Sequence, residues 1–224
     1  GTRASFVTLL AKTNPEHGAH GCSFFLVPTD LPGFSVSRKL KKIGNKSSDT
    51  AELFLDNVRV PKRYLLGEEN MGFMYLMQNF QTERLIACTS AISGAQLMLD
   101  ETLAYGRERK AFGKPIIKRE VWQHKFVDLS IKLEAARAFA YKIVDRYNHE
   151  KYEKKEQLSM ETVKLISMSK VYVGDITSEV MDTCLQFHGG WGYIEEYKIA
   201  RAWRDQRLLR LGGGTSETMR YYIA

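Results

Sequence analysis

The chain has 224 residues, of which 44% are hydrophobic, so it is long enough for one or two domains with a buried core. No apolar run is long enough to span a bilayer. Its three cysteines lie far apart without a CxxC pair, which indicates a reducing compartment and argues against a disulfide framework or a zinc site. Mixed charge runs such as residues 151–156 contribute to the net charge of +7, and such runs are typical of solvated helix surface. We therefore expect no nucleic-acid partner, although a basic surface also suits a polyphosphate ligand.

Residues 6–60 predict β-strands. Short apolar or alternating runs are typical of strands, and turn residues such as Pro32-Gly33 separate them. The predicted strands cover Phe6–Leu10, Phe24–Val27 and Glu52–Leu55.

The apolar period becomes helical from Met71 onward. The predicted helices cover residues 71–107, 121–149, 158–186 and 195–204, and a last helix begins at Thr215, a good N-cap residue after glycines. Long helices of this kind predict an up-down bundle with its apolar faces turned inward. The predicted fold class is therefore α+β, with an antiparallel β part in residues 1–66 and an all-α helical bundle in residues 67–224.

Three sequence blocks lie at the ends of helical segments, where backbone groups are free to meet a ligand. They are residues 107–116 (RERKAFGKPI), 186–193 (QFHGGWGY) and 211–217 (LGGGTSE). The last block is a flexible loop that leads into a helix N-terminus, which favours an anion or a polarised oxygen. Each glycine loop alone is also typical of an ordinary helix cap, and neither the GxGxxG nor the P-loop pattern is present in the second block. The ordered set of three is much more specific than any one of them.

In this order the three blocks resemble the C-terminal half of the acyl-CoA dehydrogenase family, flavoenzymes that desaturate acyl-CoA thioesters. The resemblance covers Gly1 to Ala224. It implies the C-terminal part of the family's middle β domain in residues 1–66 and its C-terminal helical bundle domain in residues 67–224. It also implies that the chain is cut before its first residue, so that the family's N-terminal half is missing, and that a few residues are missing after Ala224.

The resemblance implies FAD as the cofactor. On the matching motif positions, Arg109, Phe112, Gln186 and Gly190 would contact the FAD of a neighbouring subunit, and Thr215 and Glu217 would contact FAD within their own subunit. These residue types suit the roles, because a guanidinium binds phosphate well and glycine lets a ligand approach the backbone. One position departs from the family, which commonly has Gln eight residues after the phenylalanine, where this chain has Glu120.

The family's reaction needs a carboxylate base beside the substrate carbon next to the thioester carbonyl. Most members carry that glutamate immediately before the Gly-Thr of the last loop, where this chain has Gly213. Members similar to isovaleryl-CoA and long-chain dehydrogenases carry it on the first long helix, directly before an Arg, and this chain has Glu83-Arg84 there. The resemblance thus implies Glu83 as the catalytic base and Arg84 as a substrate-binding arginine. A catalytically dead chain, with Glu83 as a solvated helix carboxylate, is the other explanation.

The substrate is indicated by Gly212, where many family members have a tyrosine that closes one side of the acyl pocket. A glycine there resembles enzymes that accept branched or bulky acyl chains, unless neighbouring side chains fill the space. The resemblance as a whole implies FAD-dependent dehydrogenation of a saturated acyl-CoA, branched or of medium to long chain, to the trans-2-enoyl-CoA.

The resemblance further implies an electron-transfer flavoprotein as electron acceptor and a homodimer or homotetramer. It implies the cytoplasm in a bacterium and the mitochondrial matrix in a eukaryote. Two alternatives stay open: an acyl-CoA oxidase or flavin monooxygenase on the same scaffold, and a non-catalytic helical oligomerisation module. We expect no metal, because the histidines lack partner ligands. We also expect this fragment alone to be inactive and to bind FAD weakly or not at all.

Overall fold

The computed structural model describes all residues, 1–224, and divides into two compact units, Gly1–Phe80 and Gln81–Ala224. The first unit contains small antiparallel sheets, and long helices dominate the second. The predicted α+β fold class is confirmed.

The first unit contains two small antiparallel sheets. Strands β1 (Phe6–Lys12) and β2 (Cys22–Pro28) pair with each other, as do β3 (Phe34–Lys39) and β4 (Ala51–Leu55), and the short β5 (Leu65–Leu66) pairs with β2. The three strands predicted from the sequence are present. The prediction missed β3, because its sequence FSVSRK is mostly polar and most of the strand is exposed, so that it lacks an apolar alternation.

The helices follow the predicted order, and their ends lie within three residues of the predicted ends. They are α1 (Gly72–Glu108), α2 (Glu120–Asn148), α3 (Met160–His188), α4 (Lys198–Gln206) and α5 (Ser216–Ile223). No helix combines the length and the apolarity that crossing a membrane requires.

The core of the second unit lies between α1, α2 and α3. Ile92 and Leu99 on α1, like Val173 and Val180 on α3, are seven residues apart, so each pair faces the same side of its helix. Both pairs are almost fully buried in one cluster with Leu133 of α2. Burying a side chain of this size contributes about 1.5–3 kcal/mol, so this cluster fixes how the three long helices pack.

The connection between α1 and α2 is a tight hairpin of two short strands, β6 (Lys110–Ala111) and β7 (Lys114–Pro115). The predicted interruption between the first two helices is present, but the hairpin itself was not predicted. Its two turn residues, Phe112 and Gly113, have φ of +51° and +81°. Two successive positive φ values are typical of a type I′ turn, which usually contains Asn or Gly rather than phenylalanine. A bulky residue held in this conformation is strained, and such strain is often found at functional sites.

The connection between α2 and α3 is organised by Glu150, which lies in a π-helical turn, His149–Glu153. The buried Glu150 carboxylate accepts hydrogen bonds from the Ser159 amide (2.9 Å), the Thr162 hydroxyl (2.7 Å) and the Arg146 guanidinium (3.1 Å). Burial alone would raise the pKa of Glu150, but these hydrogen bonds outweigh it and lower the pKa to about 2. The ionised carboxylate therefore supports the N-terminus of α3, where Ser159 is the N-cap.

Candidate active site

The glycine loop that precedes α5 has a backbone that requires glycine. Gly213 and Gly214 have φ of +67° and +104°. A Cβ atom at Gly214 would lie 2.6 Å from the terminal methyl group of Met219, so a side chain there would clash as well as strain the backbone. Thr215 then caps α5, because its hydroxyl accepts a hydrogen bond of 3.2 Å from the amide of Thr218. The N-cap role predicted for Thr215 is confirmed.

Two buried cations hold successive carbonyl groups of this loop. Arg84 Nε on α1 donates a 2.8 Å hydrogen bond to the carbonyl of Gly213, and Lys170 Nζ on α3 donates to the carbonyl of Gly214. Only 8% of Arg84 and 2% of Lys170 is exposed. Burial lowers the pKa of both side chains, and the charge of Arg84 lowers that of Lys170 further.

Glu83 lies on α1 directly before Arg84, and it is exposed whereas Arg84 is buried. Successive helical residues point about 100° apart, so one turn of α1 presents a carboxylate outward and a guanidinium toward the glycine loop. A Cβ atom at Gly213 would lie 3.5 Å from Arg84 Cγ. The two alternative base positions identified in the sequence, 83 and 213, are thus both adjacent to Arg84.

Gly212 lies at the start of the same loop, where its amide donates a 2.8 Å hydrogen bond to the carbonyl of Leu208. A Cβ atom at Gly212 would make only ordinary contacts, 3.5 Å or more, with Leu208. Glu217, in the first turn of α5, is exposed. Hydrogen bonds from its own amide and from the Thr215 hydroxyl lower the pKa of Glu217.

Two of the predicted cofactor residues, Arg109 and Gly190, line an open cleft where α1 and α3 end. Residues of this cleft include Tyr105, Arg109, Phe187, His188, Gly190 and Trp191. Arg109 is exposed, and a Cβ atom at Gly190 would meet nothing within 4 Å, so a ligand can approach both the guanidinium and the backbone. In the wall of the cleft, the rings of His188 and Tyr105 stack with their centroids 4.3 Å apart.

Phe112 and Gln186 lie outside the lining of this cleft. The Phe112 ring is 93% exposed at the hairpin tip, and the Arg119 guanidinium lies over it, 5.0 Å from the ring centroid. Gln186 is exposed in the last turn of α3. Glu120, the departure from the family pattern, is also exposed, and its carboxylate lies 3.7 Å from the imidazole of His124.

These residues suit a dinucleotide with a pyrophosphate. Arg109 offers a guanidinium for phosphate, Gly190 offers an open stretch of backbone, and Phe112 and Trp191 offer aromatic surfaces. No three His, Cys, Asp or Glu side chains are grouped to hold a metal ion. The thiols of Cys88 and Cys184 are buried, which raises the pKa of each to about 11, so neither is a reactive nucleophile at neutral pH.

Lys170 is the residue of this region that the sequence did not reveal. A signal was present, because Lys170 lies four residues after Ile166 and three before Val173, at a position of the apolar stripe of α3. A lysine at such a position indicates a buried cation with a specific partner, but the partner is a main-chain carbonyl 44 residues away, which no local pattern identifies.

Two family models match the chain: the acyl-CoA dehydrogenase middle domain matches residues 1–58, and the acyl-CoA dehydrogenase C-terminal domain matches residues 70–224. The chain is 41% identical, over 100% of its length, to 50% of the mitochondrial long-chain specific acyl-CoA dehydrogenase of Sus scrofa. It is 37% identical, again over 100% of its length, to 56% of the cyclohexane-1-carbonyl-CoA dehydrogenase of Geobacter metallireducens.

A solved structure of a probable acyl-CoA dehydrogenase from Mycobacterium abscessus matches 100% of the chain with a TM-score of 0.91 and 37% identity, over 57% of that protein. The chain spans about half the length of the curated relatives that it matches.

Proposed function

Because the chain belongs to the acyl-CoA dehydrogenase family, we propose that the full-length protein is a FAD-dependent dehydrogenase that converts a saturated acyl-CoA to the trans-2-enoyl-CoA. The observation that carries this proposal is the Glu83-Arg84 pair on α1, with Arg84 bonded to the carbonyl of Gly213. Glycine occupies the position where most of the family has its base, and a glutamate stands at the alternative position beside it.

In this proposal Glu83 is the general base. Its carboxylate accepts the proton that leaves the carbon next to the thioester carbonyl, a role typically worth about 10²–10⁴-fold in rate. Arg84 holds the glycine loop beside Glu83, and its positive charge stabilises the negative charge that develops on the substrate as the proton leaves. When bound, FAD supplies a hydride acceptor for the adjacent carbon.

The cofactor roles divide into two groups. In the FAD of a neighbouring subunit, Arg109 and Phe112 contact the flavin nucleotide, and Gln186 and Gly190 bind the pyrophosphate and adenosine region. Thr215 and Glu217 contact FAD in their own subunit. Support comes from Arg109 and Gly190, which line one open cleft at the ends of α1 and α3. Thr215 and Glu217 lie together at the start of α5. A site shared in this way requires a homodimer or a homotetramer.

The substrate is a branched, cyclic or long acyl-CoA. Gly212 supports this, because glycine itself adds no side chain to the loop, and a Cβ atom there would make only ordinary contacts with Leu208, 3.5 Å or more away. Two relatives point the same way, since the names of the Sus scrofa and Geobacter metallireducens proteins specify a long-chain and a cyclohexane-1-carbonyl substrate. The electrons pass on to an electron-transfer flavoprotein. The protein acts in the cytoplasm of a bacterium or in the mitochondrial matrix of a eukaryote.

Anaerobic titration of the purified full-length protein tests this function. Saturated acyl-CoAs of straight, branched and cyclic type are added one at a time while the flavin absorbance is followed. Bleaching of the oxidised flavin band, with formation of the 2-enoyl-CoA, is the expected result. A protein that contains no flavin, or whose flavin no acyl-CoA reduces, would contradict the proposal. Fast reoxidation by molecular oxygen would instead indicate an acyl-CoA oxidase.

A further inference from the structure

Lys170 is a buried cation. Burying its charge costs free energy, and the packing of α3 alone does not explain why a charged residue lies there. It lies between the fully buried Ile166 and Val173 on the same face, and only 2% of it is exposed. Removing an ammonium group from water is expensive, and burial accordingly lowers the pKa of Lys170. An apolar side chain of similar volume would fill such a position at lower cost, so the charged group needs a reason beyond filling space.

The hydrogen bond of Lys170 indicates that reason. Its ammonium donates to the carbonyl of Gly214, and the preceding carbonyl, of Gly213, accepts the 2.8 Å hydrogen bond from Arg84 Nε. Two cations from two different helices thus hold two successive carbonyls, although the charge of Arg84 disfavours a second charge on Lys170. We call this arrangement, Arg84 and Lys170 with the carbonyls of Gly213 and Gly214, the carbonyl clamp.

The two residues whose carbonyls are held, Gly213 and Gly214, are both glycines, so without the carbonyl clamp their backbone could adopt many conformations. Gly213 and Gly214 both have positive φ, and glycine populates many other conformations at little cost. Gly212 precedes the clamp and Thr215 follows it, and both belong to the proposed substrate and cofactor site. Charge-assisted hydrogen bonds are roughly twice as strong as neutral ones, so the clamp can hold both neighbours in one arrangement.

We propose that Lys170 is a positioning residue of the active site: through the carbonyl clamp it orients the glycine loop relative to Arg84 and Glu83. This inference rests on the proposed dehydrogenase function. In this proposal Lys170 acts through the loop and not on the substrate, because its ammonium is buried and donates to the carbonyl of Gly214. Its removal should therefore lower kcat more than it changes KM.

The test uses the full-length flavoprotein with Lys170→Met, which keeps the volume and removes the charge, and Lys170→Gln, which is shorter and neutral. Lys164→Met is the matched control, since Lys164 is an exposed lysine on the same helix. One readout is hydrogen exchange of the amides of residues 213–219 without substrate. The other is kcat per bound flavin and KM for a saturated acyl-CoA.

Lys170→Met is expected to speed exchange in residues 213–219 by about tenfold or more, as the loss of a charged hydrogen bond implies. We expect kcat to fall by a similar factor while KM changes by less than about threefold, and Lys164→Met to match the wild type. If Lys170→Met does not fold, the same changes are expected in Lys170→Gln, whose side chain is one atom too short to reach the carbonyl.

Exchange and kcat equal to those of Lys164→Met would overturn the inference. Faster exchange with unchanged kcat would also overturn it, because Lys170 would then serve the structure of the loop alone. A wild-type protein without turnover on any acyl-CoA would overturn the proposed function and the positioning role with it, whereas the exchange rates would still report whether the carbonyl clamp exists.

Discussion

Replacing Gly214 by alanine should disrupt the loop before α5, and the structure gives the size of the effect. A φ of +104° is a conformation that side-chain-bearing residues rarely adopt, which costs about 1–3 kcal/mol. The added Cβ would also lie 2.6 Å from the Met219 methyl group. Because Met219 is fully buried, moving it adds part of the about 1–3 kcal/mol that overpacking costs. We therefore expect the local arrangement of loop and α5 to lose about 2–4 kcal/mol.

Hydrogen exchange measures this loss. The amides of Thr218 and Met219 are informative, because both donate to Thr215. Their exchange should accelerate by about two orders of magnitude in Gly214→Ala, since about 1.4 kcal/mol corresponds to a factor of ten. Gly212→Ala is the matched control, because its Cβ meets only contacts of 3.5 Å or more, and it should change exchange by less than about threefold. Equal exchange in the two variants would refute the argument that the backbone of Gly214 requires glycine.

Three further predictions concern the turn between β6 and β7, the connection between α2 and α3, and the proposed acyl pocket. Phe112→Gly should relieve the strain of the positive φ and leave the thermal midpoint of unfolding unchanged or higher. The same variant should bind FAD more weakly in a fluorescence titration, and an unchanged FAD affinity would show that Phe112 is not part of the cofactor site. Glu150 has a folded-state pKa of about 2, below its ordinary 4.5, so its stabilisation is complete above about pH 5 and is lost as the pH falls toward 2. In the wild type, protection of the amides of residues 159–163 against hydrogen exchange should fall with the pH in the same way, and in Glu150→Gln it should be low at every pH. Equal protection in both proteins at pH 7 would contradict the role of the Glu150 carboxylate. Gly212→Tyr should lower kcat/KM for a branched relative to a straight acyl-CoA of equal length by about 10–200-fold, and an unchanged ratio would place Gly212 outside the acyl pocket.

The sequence predicted the helices well. It also singled out Arg84 and Gly213, which the structure brings together, while the roles of the site residues stay predictions. Helical spacing of apolar residues identified the first long helix, because burial of one face dictates that period, and Thr215 as an N-cap after glycines identified the start of the last helix. Strand β3 escaped prediction since it is too polar to show a period. The hairpin at Phe112 was not predicted because Phe112-Gly113 is not a typical turn sequence, although the paired strands β6 and β7 flank it and Phe112 has a positive φ. The carbonyl clamp was not predicted for a third reason. The groups that Arg84 and Lys170 bind are main-chain carbonyls, which every residue has, so the sequence does not show which of them are bound.

The most direct test of the account is the turnover of Glu83→Gln in the full-length enzyme. We predict that kcat with a saturated acyl-CoA falls by about 10²–10⁴-fold or more while FAD stays bound. Asp100→Asn, which changes another exposed carboxylate of α1, is the matched control and should turn over normally. Adding Gly213→Glu to Glu83→Gln should restore part of the activity, because both positions adjoin Arg84; the rescue stays partial, since φ at position 213 is +67°. Near-normal turnover of Glu83→Gln would contradict the assignment of Glu83 as the base.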